Sequence, residues 1–165
     1  MTHSDIDPID QPPRRIGCLV VITNPAGDVL GVQTTYKPKP TLPGGAAHQG
    51  EKIAHAAARE LFEETGIKRE ITHFLALDQT PANPDSGATE GFNVVCDGGT
   101  LTADEAAALS VPVGAAAEIS ALVWLPVDQL TELCEPYQAR RIRHALAARE
   151  FALRLPVLYA GEAAA

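Results

Sequence analysis

Three glutamates near the middle of the chain stand at helical spacing, with Glu60, Glu63 and Glu64 at positions i, i+3 and i+4. In a helix these positions share one sector of the surface. The surrounding segment, roughly 52–65, predicts such a helix, and Gly66 follows where a left-handed cap is usual. Its buried side is expected to carry Ile53, Ala54, Ala57, Ala58 and Leu61.

The crowding of these carboxylates conflicts with the stability of the helix. Like-charged pairs at this spacing destabilise a helix by about 0.2 to 0.5 kcal/mol each. Glutamates at helical spacing are typical of a solvated face, which is the simplest interpretation of an isolated trio. The alternative is a divalent cation, since clustered hard oxygen ligands suit magnesium or manganese.

The wider segment favours the metal. It runs from Gly45 to Ile67 as GAAHQGEKIAHAAARELFEETGI, with Glu51 six positions after Gly45 and Arg59 directly before the first glutamate of the trio. This pattern resembles the Nudix box at every defined position. His48 and Gln49 stand where many relatives carry Glu and Pro, but neither position is a defined one. The chain is therefore similar to the Nudix hydrolase superfamily.

The resemblance implies a fold and a set of metal ligands. The fold is an α/β/α sandwich (α+β class) with a mixed β-sheet and the Nudix loop-helix-loop. Glu51 and Arg59 correspond to a supporting pair that orients the carboxylate helix. The cofactor would be Mg²⁺, with Mn²⁺ as a substitute. Its ligands would be the carboxylates of Glu60, Glu63 and Glu64 and the main-chain carbonyl of Gly44.

The resemblance also implies an activity. The family cleaves a phosphoanhydride bond in a nucleoside diphosphate linked to another group, by attack of water on phosphorus. The base that takes the proton from water is left open between Glu60 and Glu118, with Glu90 as a further candidate. A non-catalytic ligand-binding or regulatory module is the alternative, although such modules tend to have eroded boxes. The box does not identify the substrate, the number of metals or the roles of His48, Lys37 and Lys39.

Charge and cysteine content restrict the partners. Asp and Glu total 21 against 13 Lys and Arg, a formal net charge of −8, which argues against sequence-independent nucleic-acid binding and against an anionic membrane surface. The expected partner is a small nucleotide or nucleoside diphosphate derivative, and a homodimer is left open.

Cys18, Cys96 and Cys134 form no CxxC pair, which argues against a disulfide framework and a zinc site. With no apolar leader and no membrane-length segment, we expect a cytoplasmic protein.

The order of predicted elements indicates one domain. With 165 residues, 45% of them hydrophobic, the chain suits a single core over residues 16–155, with flexible ends at 1–15 and 156–165. Strands followed by a helix, more strands and two helices favour a mixed sheet between helices over a repeating βαβ winding. The predictions comprise a hairpin of strands 16–23 and 29–35, an irregular loop 36–45, strands 71–79, 91–97 and 119–126, a capping box at Thr102 and Glu105, and helices 126–134 and 136–149.

Overall fold

A computed structural model describes residues 12–163 of the chain. Its main sheet is mixed and has seven strands, in the order β6-β2-β1-β5-β4-β7, with β3 also paired to β1. Strands β1 and β5 are parallel, and the other pairs are antiparallel. The strands of this sheet are β1 Arg15–Thr23, β2 Val29–Thr34, β3 Gly44–Ala46, β4 His73–Thr80, β5 Gly91–Thr100, β6 Ile119–Leu125 and β7 Leu155–Pro156.

Strand β1 supplies side chains to two cores. Val20 and Ile22 are buried in one core with Leu61, whereas Val21 is buried in the other with Ile142. Successive side chains of a strand point to opposite faces, so a continuous apolar strand must be covered on both sides. Helix α1, Ile53–Thr65, covers one face, and helix α4, Pro136–Glu150, covers the other. The predicted sandwich with a mixed sheet is confirmed.

The predicted hairpin is only partly right. Asn24 and Asp28 form the expected turn, with the Asn24 side chain accepting from the backbone N–H of Asp28 at 2.9 Å. Beyond the register pair Thr23 and Val29, however, the two strands separate. Strand β2 pairs along its length with β6, and β1 pairs with β5. Separation leaves room beside β1 for another segment.

That segment is β3, which corrects the prediction of an irregular loop over 36–45. Gly44 pairs with Leu19 and Gly45 with Cys18 in antiparallel register. Earlier in the same loop, Thr41 bridges to Val32. A short strand of small residues has little β-propensity, so its conformation comes from pairing with β1. The pairing fixes the glycines relative to α1.

The helices follow the predictions closely. Helix α1 ends at Gly66, whose φ of 76° is the left-handed cap that the sequence predicts. Helix α2, Ala103–Ala107, begins with the predicted capping box of Thr102 and Glu105. The predicted helix over 126–134 is instead a 3-10 turn, Val127–Gln129, followed by helix α3, Leu130–Leu133.

The ends of the domain lie further out than predicted. Arg14 pairs with Glu90 at 2.8 Å and Arg15 begins β1, although both fall in the predicted arm. Residues 1–11 of that arm lie outside the described residues. At the other end, β7 pairs with β4, Val157 is buried, and β8 Leu158–Tyr159 pairs with β9 Glu162–Ala163. Composition predicts an unstructured tail from 156, whereas the structure places 155–163 in ordered elements.

Within residues 12–163, no helix combines the length and apolarity needed to cross a membrane.

Candidate active site

Strand β3 brings two glycines against the carboxylates of α1. The Gly44 N–H donates to Glu64 Oε2 at 2.8 Å. A Cβ at Gly45 would lie 2.5 Å from Glu60 Oε1, so only glycine leaves space for that carboxylate in its present position. Gly44 has a φ of 140°, and a Cβ there would meet the backbone of Cys18 and Leu19. Both glycines are therefore required by geometry, one for the backbone and one for Glu60.

Arg59 binds three glutamates. Its Nε and Nη2 donate to the two oxygens of Glu51 at 2.8 and 2.9 Å, a bidentate pair. Its Nη1 donates to Glu60 Oε1 at 2.8 Å and to Glu63 Oε2 at 3.1 Å. The ion pair between Glu51 and Arg59 that the resemblance implies is thus present. It ties the start of α1 to the glutamate face.

Charges around Arg59 shift the pKa values of the pair. The hydrogen bonds from Arg59, and then the backbone N–H of His48, lower the pKa of Glu51 to about 2. The same pairing with Glu51 raises the pKa of Arg59 above its ordinary range. Both groups therefore remain charged across the physiological range.

Glu64 is in the opposite situation. The pKa of this half-buried carboxyl is raised to about 7, mainly by burial and also by the nearby charges of Glu60 and Glu118, although the Gly44 N–H and the charge of Lys37 oppose the rise. The charged form of Glu64 is therefore disfavoured, and a nearby cation would stabilise it.

Glu118 lies with the helix glutamates. It immediately precedes β6, and it lines a cavity of about 490 Å³ together with Glu60, Glu63 and Glu64. The structure therefore brings together two acidic regions that are far apart in sequence. Glu90, the further candidate, pairs with Arg14 and Gln79 and does not line this cavity.

The chain also matches known proteins. The model of the family described as NUDIX domain matches residues 13–147. The chain belongs to the NUDIX family. The match includes both the glycine strand and the acidic helix, and it ends inside α4.

Individual relatives of the NUDIX chain match over part of its length. Mouse nucleoside diphosphate-linked moiety X motif 6 is 40% identical over 41% of this chain and 22% of its own length. An RNA pyrophosphohydrolase of Cereibacter sphaeroides is 40% identical over 43% of this chain and 44% of its own. The chain thus spans less than half of the length of these curated relatives.

The fold of the NUDIX chain is also that of solved structures. The MutT protein from Methanosarcina mazei Go1 superimposes with a TM-score of 0.66 at 20% identity, covering 86% of this chain and 97% of that one. At this identity the likeness concerns the fold alone.

The acidic face formed by Glu60, Glu63 and Glu64 is the candidate site for a divalent cation. Among residues 12–163, no three His, Cys, Asp or Glu side chains converge closely enough to hold a metal ion. Two of the predicted ligands, Glu60 and Glu63, are turned toward Arg59. The donors are hard carboxylate oxygens, the kind of ligand that magnesium prefers. The chemistry of the donor set therefore fits a magnesium-type cation, whereas the described side-chain positions do not form a completed site.

A second cavity adjoins the glycine strand and was not predicted. Its volume is about 310 Å³, and Gly44 and Gly45 line it. Three of its polar side chains, Asn93, Gln138 and Arg141, are buried. Asn93 interrupts the apolar run GFNVVC, which is the signal that sequence analysis missed. The other side chains that line it include Arg15, Tyr36, Lys37 and Tyr137.

The structure separates the two lysines and the histidine whose roles were open. Lys37 lies near Glu64 and lines the second cavity. Lys39 instead donates to the carbonyl of Cys134 at 3.1 Å, which attaches its loop to the end of α3. His48 is exposed, and its backbone N–H donates to Glu51 at 2.9 Å. Of the three, only Lys37 is close to the acidic cavity.

Proposed function

We propose that this chain is a metal-dependent hydrolase that cleaves a phosphoanhydride bond in a nucleoside diphosphate derivative. The observation that carries the proposal is the environment of Glu64 in this NUDIX chain. Its carboxyl is half-buried, held by the Gly44 N–H, and adjacent to two further glutamates across a cavity. Such a concentration of acidic oxygens around a cavity is suited to cation-assisted phosphate chemistry.

Glu60, Glu63 and Glu64, with the carbonyl of Gly44, would hold the cation. When bound, a magnesium-type ion neutralises charge developing on the diphosphate and lowers the pKa of a water molecule. Arg59 holds Glu60 and Glu63 by hydrogen bonds, and Glu51 in turn holds Arg59. These contacts limit the rotamers of Glu60 and Glu63, both of which line the cavity.

We assign acceptance of the proton from water to Glu118. Glu60 already accepts a hydrogen bond from Arg59, whereas Glu118 forms no ion pair within the described part of the chain. Glu118 is exposed at the rim of the cavity, where it can pass a proton to solvent.

The lining of the second cavity supports a nucleotide derivative as substrate. The exposed rings of Tyr36 and Tyr137 offer surfaces for a base, and the buried amides of Asn93 and Gln138 offer hydrogen bonds. Lys37 lines this cavity and its charge acts on Glu64, so its ammonium group would meet phosphate oxygens of a nucleotide bound there. The names of the relatives point the same way, to nucleoside diphosphate-linked compounds and to RNA.

The three free thiols support the cellular location. Cys18, Cys96 and Cys134 are buried and unpaired within the described residues. We therefore propose a reducing compartment, the cytoplasm, as the place of action.

The test is hydrolysis of a substrate panel with and without Mg²⁺ or Mn²⁺, followed by chromatography of the phosphorylated products, such as the nucleoside monophosphate. The panel comprises nucleotide sugars, dinucleotides, ADP-ribose, oxidised nucleoside triphosphates and 5′-triphosphorylated RNA. With the best substrate, Glu64→Gln and Glu63→Gln should each lower kcat by roughly 100-fold. Glu70→Gln is the matched control, because Glu70 is exposed and lies outside the cavity, and it should keep full activity.

Two outcomes would contradict the proposal. Full activity of both helix variants at saturating Mg²⁺ would remove the glutamates from the chemistry. Absence of turnover throughout the panel, together with tight binding of one compound, would indicate a non-catalytic binding module instead.

A further inference from the structure

The guanidinium of Arg59 is divided between two sets of partners. Its Nε and Nη2 donate to the two oxygens of Glu51 at 2.8 and 2.9 Å, and Nη2 also donates to the Ala46 carbonyl at 3.4 Å. Its remaining nitrogen, Nη1, donates to Glu60 Oε1 at 2.8 Å and to Glu63 Oε2 at 3.1 Å. One side of the guanidinium is therefore fixed by Glu51, and the other side bridges two carboxylates of α1.

Nη1 stands where it offsets the repulsion between Glu60 and Glu63. A divalent cation held by these two side chains would use the same carboxylates. A cation and a guanidinium on one carboxylate are close enough to repel each other. The Glu60 carboxylate also has little room to turn, because a Cβ on Gly45 would lie 2.5 and 2.7 Å from its two oxygens. Arg59 and a cation are thus rivals for Glu60 and Glu63.

Glu64 stands outside this rivalry. It accepts from the Gly44 N–H at 2.8 Å, and it lines the same cavity as Glu60 and Glu63. A cation can therefore reach Glu64 without disturbing Arg59. Binding to Glu60 and Glu63 as well would require Nη1 to give up both of its hydrogen bonds.

We propose that Arg59 is an internal competitor of the cation, in addition to supporting α1 through Glu51. Nη1 withdraws from Glu60 and Glu63 when these carboxylates bind a magnesium-type ion, while Nε and Nη2 stay on Glu51. The hydrogen bonds that Nη1 gives up lower the affinity for the ion. The inference rests on the proposed function for the place of the ion, and it concerns binding of the ion rather than turnover.

The change of partners can be followed in the wild-type protein. Nuclear magnetic resonance of the isotope-labelled full chain records the side-chain N–H signals of Arg59 while MgCl₂ alone is added, without nucleotide. At saturation the Nη1 signal should shift and exchange faster with water, whereas the Nε signal should stay in place. Arg69 is the internal control, because it pairs with Glu105 and does not line the acidic cavity. An Nη1 signal that is unchanged at saturating Mg²⁺ would overturn the inference.

Calorimetry adds a test in which two roles of Arg59 predict opposite signs. Arg59→Lys keeps the positive charge but replaces the planar fork, which spans three carboxylates, by a single ammonium group. If Arg59 competes with the ion, the variant should bind Mg²⁺ about fivefold more tightly than the wild-type protein. If Arg59 only orients the ligands, the variant should bind Mg²⁺ more weakly, and the inference would be wrong.

Arg69→Lys is the matched control for this substitution. It also replaces an arginine that is paired with a glutamate, but outside the acidic cavity, so its Mg²⁺ affinity should equal that of the wild-type protein. Circular dichroism shows whether both variants are folded. If Arg59→Lys does not fold, the titration of the wild-type protein decides the question alone.

The two proposals fail in different ways. If the chain hydrolyses a nucleotide with Mg²⁺ but Nη1 keeps its partners, the competition alone is wrong. If Mg²⁺ displaces Nη1 and Arg59→Lys tightens binding but nothing is hydrolysed, the competition stands and the proposed hydrolase activity is wrong.

Discussion

Arg59 explains how one helix tolerates three glutamates on a single face. It donates to Glu51, Glu60 and Glu63, and so compensates the repulsion between two of the three helix carboxylates. Glu64 is not bonded to Arg59 and is instead held by the backbone of Gly44. The helix glutamates therefore divide into two that are balanced by an arginine and one that is not. The unbalanced residue is the one for which added positive charge matters most.

The two glycines of β3 should respond differently to alanine. Gly45→Ala places a Cβ against the flexible end of Glu60, which can move aside, so we expect about tenfold lower kcat with less than about 1 kcal/mol lost in stability. Gly44→Ala meets backbone atoms at a φ of 140°, so we expect about 2 kcal/mol or more of destabilisation. Urea unfolding measures the stability, and the rate at which the phosphorylated products form measures kcat. If Gly45→Ala were as destabilising as Gly44→Ala, the proposed freedom of Glu60 would be wrong.

The Glu51–Arg59 pair should make stability depend on pH. The folded pKa of Glu51, about 2, lies below its ordinary value of 4.5, so protonation favours the unfolded state. The contribution is fully present above pH 4.5 and is lost as the pH falls toward 2. Glu51→Gln should therefore be less stable than the wild-type protein at pH 6, with a difference that narrows by pH 3. The measurement is the free energy of unfolding in urea at both pH values, and a difference that is constant with pH would exclude this linkage.

At the scale of elements, α1 was predictable because its signals are local. Its apolar side, its glutamate face and its terminal Gly66 all lie within one segment, and its bounds differ from the prediction by one residue at the start. Strand β3 was not predictable, because three small residues become a strand only through pairing with β1. The cavity residues Asn93 and Arg141 were missed for the same reason. Their meeting depends on the register of β5 and the packing of α4, which no local pattern encodes.

Gly66, the C-terminal cap of α1, tests whether these local signals stabilise the helix. Gly66→Ala forces a side chain into a left-handed φ of 76°, which should cost about 1 kcal/mol in the free energy of unfolding. Gly114→Ala is the control. Gly114 lines the acidic cavity, as Gly66 does, but it has no left-handed φ and a Cβ there would meet no other atom within 4 Å. It should change stability by less than about 0.5 kcal/mol. Equal effects in urea unfolding would show that the cap conformation does not stabilise the helix end.

At the scale of the whole molecule, helix α4 is fastened to the sheet near its end and lines two cavities near its start. Arg149 near its end donates to Asp97 at 2.7 Å and to the Val21 carbonyl at 2.8 Å, which fastens α4 to β5 and β1. Tyr137 and Arg141 near its start line the two cavities beside β4 and β5. Anchored at its far end, α4 holds its first two turns above the sheet.

The C-terminal segment from Leu155 onward packs against the domain. Val157 is 5% exposed and packs in the same core as α1, although composition alone predicts an unstructured tail. If the segment is docked as described, Val157→Ala removes two buried methyl groups and should cost about 2 kcal/mol. Leu158→Ala is the neighbouring control, because Leu158 is 53% exposed and should change stability by less than about 0.5 kcal/mol. Thermal and urea unfolding of both variants give the comparison. If the two variants were equally harmless, the tail would be undocked in solution, and the core beneath β7 would have to be closed by α1 and β4 alone.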